Sequence, residues 1–222
     1  MHMANIYIIP NWFLGYDILL ELLFALVTLL VGIYGYKIYK LTEQRQSKLF
    51  SISFFLFSLS YFIQCALNFI ILNQLNQNIC TILNIKSVTT LNFIGIYTHI
   101  ILFTAGLITL AYMTLKIKDI RIPSLLYVIS FLGLIFAPNK INFFYFLSSF
   151  ILIFITAYYL IAYTKTKHLK NLLVLIAFVF LLLANIHFIF SLNYGAFYVF
   201  AHALQFIAYL LILLNLILIL KK

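Results

Sequence analysis

Seven long apolar segments constrain this chain more strongly than any other feature. Of its 222 residues, 66% are apolar and only 8% are charged, which is more apolar surface than a soluble fold of this size could bury in one core. A run of about 20 apolar residues crosses a bilayer as an α-helix, which satisfies its own backbone hydrogen bonds there. The strands of a membrane barrel would alternate apolar and polar residues, and these segments do not. We therefore predict an all-α integral membrane protein.

The segments predict a bundle of seven transmembrane helices that forms one domain, residues 1–222. Pro123 suits the first turn of the fourth and shortest helix, and Pro138 suits its end. The predicted spans are residues 16–36, 49–72, 91–115, 122–137, 141–163, 169–192 and 196–220.

Basic residues lie in alternate gaps between these spans. Twelve of the 14 Lys and Arg residues share one side, whereas Lys86 and Lys140 lie on the other. By the positive-inside rule, the C-terminus is cytoplasmic and the N-terminus is outside, which suits a multi-pass protein of the plasma (cytoplasmic) membrane. The net charge of +10 then reflects topology and attraction to anionic lipid, and it does not indicate nucleic-acid binding.

No recognised catalytic or cofactor signature occurs in the chain, so the sequence leaves open whether the protein is an enzyme. Cys65 and Cys80 match neither a CxxC nor a zinc-ribbon spacing. The tails and inner loops are too short for a soluble module, so we expect any activity within the bundle or at its outer mouth. The bilayer is the expected partner, with a small ligand or ion arriving from the outer side. A homo-oligomer or a membrane partner stays open.

The ionisable residues within the spans fall at one membrane depth. Asp17 and Glu21 are one helical turn apart, which puts both on one helix face. His99, His187 and His202 lie in spans three, six and seven. Counted along each helix, Glu21 and the three histidines lie on the order of 8 to 14 Å below the outer boundary. The sequence therefore predicts a polar layer in the outer half of the bundle.

Amide and tyrosine side chains extend this layer. The amides in or near the outer half are Gln64, Asn68, Asn185 and Gln205. Two stripes at spacings of three and four contain Tyr61, Gln64 and Asn68 in span two, and Tyr198, His202, Gln205 and Tyr209 in span seven. Placing such groups against lipid costs several kcal/mol, so we expect the stripes to face the bundle interior.

Our leading interpretation is an outward-facing pocket that binds a divalent metal or a small ligand, for sensing, uptake or metal-dependent membrane chemistry. Carboxylate and neutral imidazole together suit Zn²⁺, Fe²⁺ or Mn²⁺. The predicted metal ligands are Asp17, Glu21, His99, His187 and His202.

Three alternatives remain. His99 with His202, or with His187, could ligate a b-type haem as two axial histidines. Glu21 and the histidines could instead exchange protons in a small-solute or proton-coupled transporter. In a purely structural membrane subunit, Asp17 would be an acid stabilised by the helix dipole, and each histidine would bond to a neighbouring helix.

An internal similarity bears on the transporter alternative. Residues 98–103 can be laid over residues 201–206, with His99 falling on His202. Spans two and six match loosely, and spans one and five run in the same direction. This predicts a 3+1+3 arrangement of parallel repeats with span four as the connector.

The layout resembles several known architectures without sharing their motifs. It is similar to microbial rhodopsins, but span seven has lysines only at its end, Lys221 and Lys222, which excludes a retinal Schiff base. It is also similar to alkaline ceramidases and adiponectin receptors, whose zinc site includes an HxxxH pair on the last helix. Here that spacing runs from His202 to Phe206. The 3+1+3 order resembles sugar transporters and PQ-loop proteins, but Pro-Gln is absent from the chain. The resemblance is therefore architectural.

Overall fold

A computed structural model places the protein's described residues, 13–76, 82–116, 119, 121–191 and 194–221, in an all-helical fold. These residues form seven α-helices and no strand. The helices are α1 (Leu14–Thr42), α2 (Arg45–Asn76), α3 (Ile82–Leu115), α4 (Arg121–Phe136), α5 (Lys140–Thr166), α6 (Leu169–Ser191) and α7 (Gly195–Leu220). The predicted all-α class and the number of helices are confirmed within the described residues.

Six of the seven helices are long and apolar enough to cross a membrane, by length and composition. The exception is α4, with 16 residues, which at a rise of 1.5 Å per residue is about 24 Å long and so shorter than a hydrocarbon core of roughly 30 Å. The multi-pass prediction is therefore supported, whereas a seventh crossing by α4 stays a prediction. The inside-outside orientation also stays a prediction.

Several helices are longer than the spans predicted from apolarity. α2 begins at Arg45 and α3 begins at Ile82, whereas the predicted spans begin at residues 49 and 91. Helical hydrogen bonding continues past the apolar stretch, because polar flanking residues can complete a helix outside the hydrocarbon region. Hydropathy marks the part of a helix that lipid would cover.

The helices close into a ring. α1 packs against α2 and α7, α3 packs against α2, α4 and α5, and α6 packs against α5 and α7. The order around the ring is α1, α2, α3, α5, α6, α7, and α4 lies outside it against α3 and α5. We call α1 to α3 the first group and α5 to α7 the second group. The two groups meet at two seams, one between α1 and α7 and one between α3 and α5. Whether the groups are repeats of one another stays a prediction.

Aromatic side chains fill the inside of the ring, and apolar side chains also cover its outside. Phe24, Phe54 and Phe178 are fully buried in one core that involves every ring helix. On the outer surface, Phe136 and Phe150 are 79% and 69% exposed. Large apolar surface on the outside of an apolar bundle is what a lipid environment requires, since lipid tails solvate it at no cost.

Short polar contacts hold α1 against α2. The hydroxyl of Ser51 donates to the carbonyl of Gly32 at 2.7 Å, and Ser58 donates to the carbonyl of Ala25 at 2.9 Å. An added Cβ at Gly32 would lie 3.0 Å from the Phe55 ring. Small residues and hydroxyls at a helix interface let backbones approach closely, which fixes the face that α1 turns inward.

Candidate polar site between the two groups

Two buried carboxylates lie on the inward face of α1. Asp17 is 0% exposed and Glu21 is 2% exposed, one turn further along the same face. The other two acidic residues of the chain, Glu43 and Asp119, are exposed near helix ends. Burying an ionised carboxylate in an apolar bundle is costly unless it is paired or protonated, so the surroundings of these two groups decide what the site can do.

Asp17 joins the two groups at the seam between α1 and α7. The hydroxyl of Tyr198 donates to its Oδ1 at 2.9 Å, and the His202 Nε2 atom lies 2.9 Å from the same oxygen. The His202 ring N–H is not directed at that oxygen, so the contact is electrostatic and not a well-aligned hydrogen bond. Asp17 Oδ2 and His202 Nδ1 have no hydrogen-bond partner among the described residues.

Four aromatic rings enclose the His202 imidazole. Tyr198 and Phe188 meet it edge-on at centroid distances of 4.4 and 5.1 Å, Phe24 is tilted at 5.6 Å, and Phe13 stacks at 6.1 Å. These rings bury His202 beside Asp17, with 6% of the residue exposed.

Glu21 has a different partner. The side-chain amide of Asn68 on α2 donates to both carboxylate oxygens at 3.0 Å. Asn68 is half-buried and belongs to the same group as Glu21. Within the described residues, no Lys or Arg forms a salt bridge with Glu21 or Asp17, and His202 supplies the ion-pair contact that Asp17 makes.

A second set of polar contacts crosses the ring one turn further along α7. The Gln205 amide donates to the Tyr61 hydroxyl on α2. The Tyr61 and Tyr209 hydroxyls lie 3.0 Å apart. All three side chains are buried, and they bridge α2 and α7, whose backbones do not approach each other closely. These hydrogen bonds therefore span the interior between the first and second groups.

His99 borders this arrangement, because its ring packs on Tyr61 at a centroid distance of 5.5 Å. His99 Nδ1 bonds to Ser60 at 2.7 Å, and the ring also packs on Phe103 and Phe144 near the seam between α3 and α5. His187 lies outside the arrangement. His187 Nδ1 contacts the Leu183 carbonyl of its own helix at 2.7 Å.

Two of the predicted amides, Asn185 and Gln64, make no hydrogen bond with the other site residues. Asn185 donates to the carbonyl of Leu181 at 3.1 Å, again within its own helix. Gln64 Oε1 is buried without a partner among the described residues. Of the nine predicted site residues, the structure brings together Asp17, Glu21, Asn68, His202 and Gln205, and it places His99 against Tyr61 at their border.

Metal coordination was the leading prediction for this region. Among the described residues, no three or more His, Cys, Asp and Glu side chains are grouped closely enough to hold a metal ion. Cys65 is a free thiol whose Sγ lies 3.5 Å from the Ile18 carbonyl, and Cys80 lies outside the described residues.

The sequence marked some residues of the site and not others. The predicted polar stripes include Tyr61, Tyr198 and Tyr209, which supply the hydroxyls of the site. Phe13 and Phe188 belong to neither stripe, and the 24 Phe residues of this chain give no reason to select one ring over another.

Comparisons with protein-family models, curated proteins and solved structures found no match.

Proposed function

We propose that the protein is a small-solute transporter of the cytoplasmic membrane, coupled to a small cation that binds at Asp17 and Glu21. The N-terminus lies outside, so the site faces the outer half of the membrane. The solute passes between the first and second groups, and these groups rock against each other around the site. Transporters built from two helix bundles commonly place their sites at such an interface.

The observation that carries this proposal is the position of the polar contacts. The Asp17 contacts with Tyr198 and His202, and the Tyr61 contacts with Gln205 and Tyr209, all join one group to the other. Few helix pairs hold the groups together, namely α1 with α7 and α3 with α5. Polar contacts that can break and re-form at an interface suit two arrangements of rigid groups better than a static core does.

The charge of the site supports coupling to a cation. If Asp17, Glu21 and His202 are all ionised, the site carries a net charge of −1 within an apolar bundle. A proton or another small cation removes that charge. Occupancy of the site therefore changes its electrostatic energy, which is how a coupling ion biases one conformation over another.

A proteoliposome assay tests this proposal. Vesicles containing a pH-sensitive dye receive amino acids, sugars or small carboxylic acids from outside under an inward proton gradient. We expect one solute class to acidify the lumen in wild type, and Asp17→Asn and Glu21→Gln to abolish that response. Glu43→Gln is the matched control, since Glu43 is exposed at the end of α1. Equal responses from wild type and both site variants, or no solute-dependent response at all, would contradict the proposal.

A second candidate is binding of a divalent metal. It is favoured by the unpartnered Asp17 Oδ2 and His202 Nδ1 atoms, which are donors of the kinds that Zn²⁺, Fe²⁺ and Mn²⁺ accept. Elemental analysis of tag-free protein decides between the candidates. Near-stoichiometric metal that is lost in His202→Ala would favour a metal site, and its absence from both proteins would favour the transporter.

A further inference from the structure

The two buried carboxylates differ in every contact that controls their charge. Asp17 faces an imidazole that can become cationic, and it also accepts from a tyrosine hydroxyl. Glu21 receives hydrogen bonds from a neutral amide. One site therefore contains one carboxylate with a cationic partner available and one without.

Asp17 has a partner that can carry a positive charge. His202 Nε2 lies 2.9 Å from Asp17 Oδ1, and four aromatic rings bury the imidazole beside this carboxylate. An ion pair with His202 would balance the charge of Asp17, whereas an unpaired buried carboxylate is costly. Asp17 and His202 lie on different groups, so this contact joins α1 to α7 and breaks if the two groups separate at that seam.

The surroundings of Glu21 suit either protonation state. The Asn68 side chain carries an NH₂ donor and a carbonyl acceptor. Its Nδ2 atom donates to both oxygens of the Glu21 carboxylate. After rotation of the amide, Nδ2 can donate to the C=O of a protonated carboxyl while Oδ1 accepts from its O–H. The other titratable side chains that interact with Glu21 are Asp17 on α1, Tyr61 and Cys65 on α2, and Tyr198 on α7.

None of these neighbours replaces the missing positive charge at Glu21. The tyrosines and Cys65 are neutral donors, and Asp17 opposes a second negative charge close by. His202 can become cationic, and the ion-pair contact that it makes among the described residues is with Asp17. A net charge of −1 is therefore left on Glu21, and one monovalent ion is enough to remove it.

We infer that the coupling ion is a proton and that Glu21 is the group that binds it, while the charge of Asp17 is balanced by His202 when α1 packs against α7. This inference rests on the proposed transporter function and assigns its coupling site. The step is a proton transfer alone. An O–H bond forms at a Glu21 carboxylate oxygen, the proton comes from water at the outer side, and the same proton leaves to water at the inner side. No electron is transferred.

Difference infrared spectroscopy of the full-length protein in nanodiscs tests the inference. The C=O stretch of a protonated carboxylic acid is resolved from that of a carboxylate. Two pH values above about 6, where exposed carboxyls such as Glu43 and Asp119 stay ionised, therefore give a difference band for each buried carboxyl that titrates between them. We expect one such band in wild type, its loss in Glu21→Gln, and its retention in Asp17→Asn and in the surface control Glu43→Gln. A band that survives in Glu21→Gln, or disappears in Asp17→Asn, overturns the inference.

A second variant decides the case if Glu21→Gln does not fold. Asn68→Leu keeps the carboxyl and removes its amide partner, so the band should remain and move to higher frequency as the hydrogen bond to the C=O is lost. An unmoved band overturns the assignment to Glu21. The spectrum does not depend on any solute. A Glu21 band without solute-coupled flux would therefore disprove the transporter alone, and flux with the band elsewhere would disprove the Glu21 assignment alone.

Discussion

Tyr198 is the residue with the clearest single role in the site. Its hydroxyl donates to Asp17 Oδ1 at 2.9 Å across the seam between α1 and α7. The ring also packs edge-on against His202 and Phe13, so the hydroxyl can be removed without emptying the space. A hydrogen bond to a charged acceptor contributes more to stability than one between neutral groups.

We predict that Tyr198→Phe lowers the free energy of unfolding by about 1–2 kcal/mol, because Asp17 loses its best-aligned donor inside an apolar bundle. Equilibrium unfolding in mixed micelles measures this change. Tyr194→Phe is the matched control, because the Tyr194 side chain is 66% exposed, and it should change stability by less than about 0.5 kcal/mol. Equal effects of the two substitutions would show that the hydroxyl contact with Asp17 has no energetic role.

The sequence predicted part of this site at the level of single residues. The spacing of Asp17 and Glu21 correctly predicted a shared face, and the span-seven stripe correctly predicted that His202 and Gln205 are buried. His187 shared their depth but bonds to its own helix. The membrane depth of a residue can be predicted by counting along its helix. Which face of the helix points inward cannot be predicted in this way, because the lipid-facing and core-facing sides of these helices are both apolar.

At the scale of helices, the contact between α2 and α3 depends on one glycine. A Cβ added at Gly106 would lie 2.5 Å from Cε1 and 2.7 Å from Cδ1 of Phe57. Phe57 is 2% exposed, and its ring packs on Phe54 and Phe103 at centroid distances of 5.3 and 4.8 Å. The ring therefore has little room to move, and Gly106 sets the distance between the two helices.

We predict that Gly106→Ala destabilises the protein by about 1–3 kcal/mol, the usual cost of overpacking a core. Gly15→Ala is the control, since an added Cβ there meets no heavy atom within 4 Å. Ala is favoured over Gly in a helix by about 1 kcal/mol, so the control should be neutral or stabilising. Thermal unfolding of both variants gives the comparison, and a stabilised Gly106→Ala protein would contradict the packing described for α2 and α3.

Helix positions were more predictable than helix lengths. Pro123 and Pro138 correctly bracketed α4, because proline suits a first helical turn and cannot continue a helix from within. The N-terminal extension of α3 from residue 91 back to Ile82 was not predicted from hydropathy, since those residues include Lys86 and several polar side chains. Hydropathy predicts the part of a helix that contacts lipid, and it does not detect polar helix ends.

At the scale of the whole molecule, the ring order follows from short connections. Consecutive helices joined by few residues pack as neighbours, which accounts for most of the observed packing. The closure of α1 on α7 and of α3 on α5 is the part that brings Asp17 to His202. Chain order alone does not specify these two seams, and the predicted internal similarity offered the one sequence hint of them.

We expect the first and second groups to move against each other when the site changes its protonation state. Electron–electron distance measurements between spin labels at Gly15→Cys and Tyr194→Cys give the distance between the N-terminal ends of α1 and α7. The native cysteines are removed by Cys65→Ser and Cys80→Ser so that only the introduced cysteines are labelled. Both labelled positions are exposed. Labels at Gly15→Cys and Phe69→Cys, within the first group, provide the control pair.

We predict that acidification, or Glu21→Gln at neutral pH, shifts the distance distribution between α1 and α7 and leaves the distribution within the first group unchanged. The shift follows because protonation of Glu21 removes a negative charge beside Asp17, whose contacts with Tyr198 and His202 cross the interface between the groups. One unchanged distance for α1 and α7 in every condition would contradict the account and identify the polar cluster as static packing.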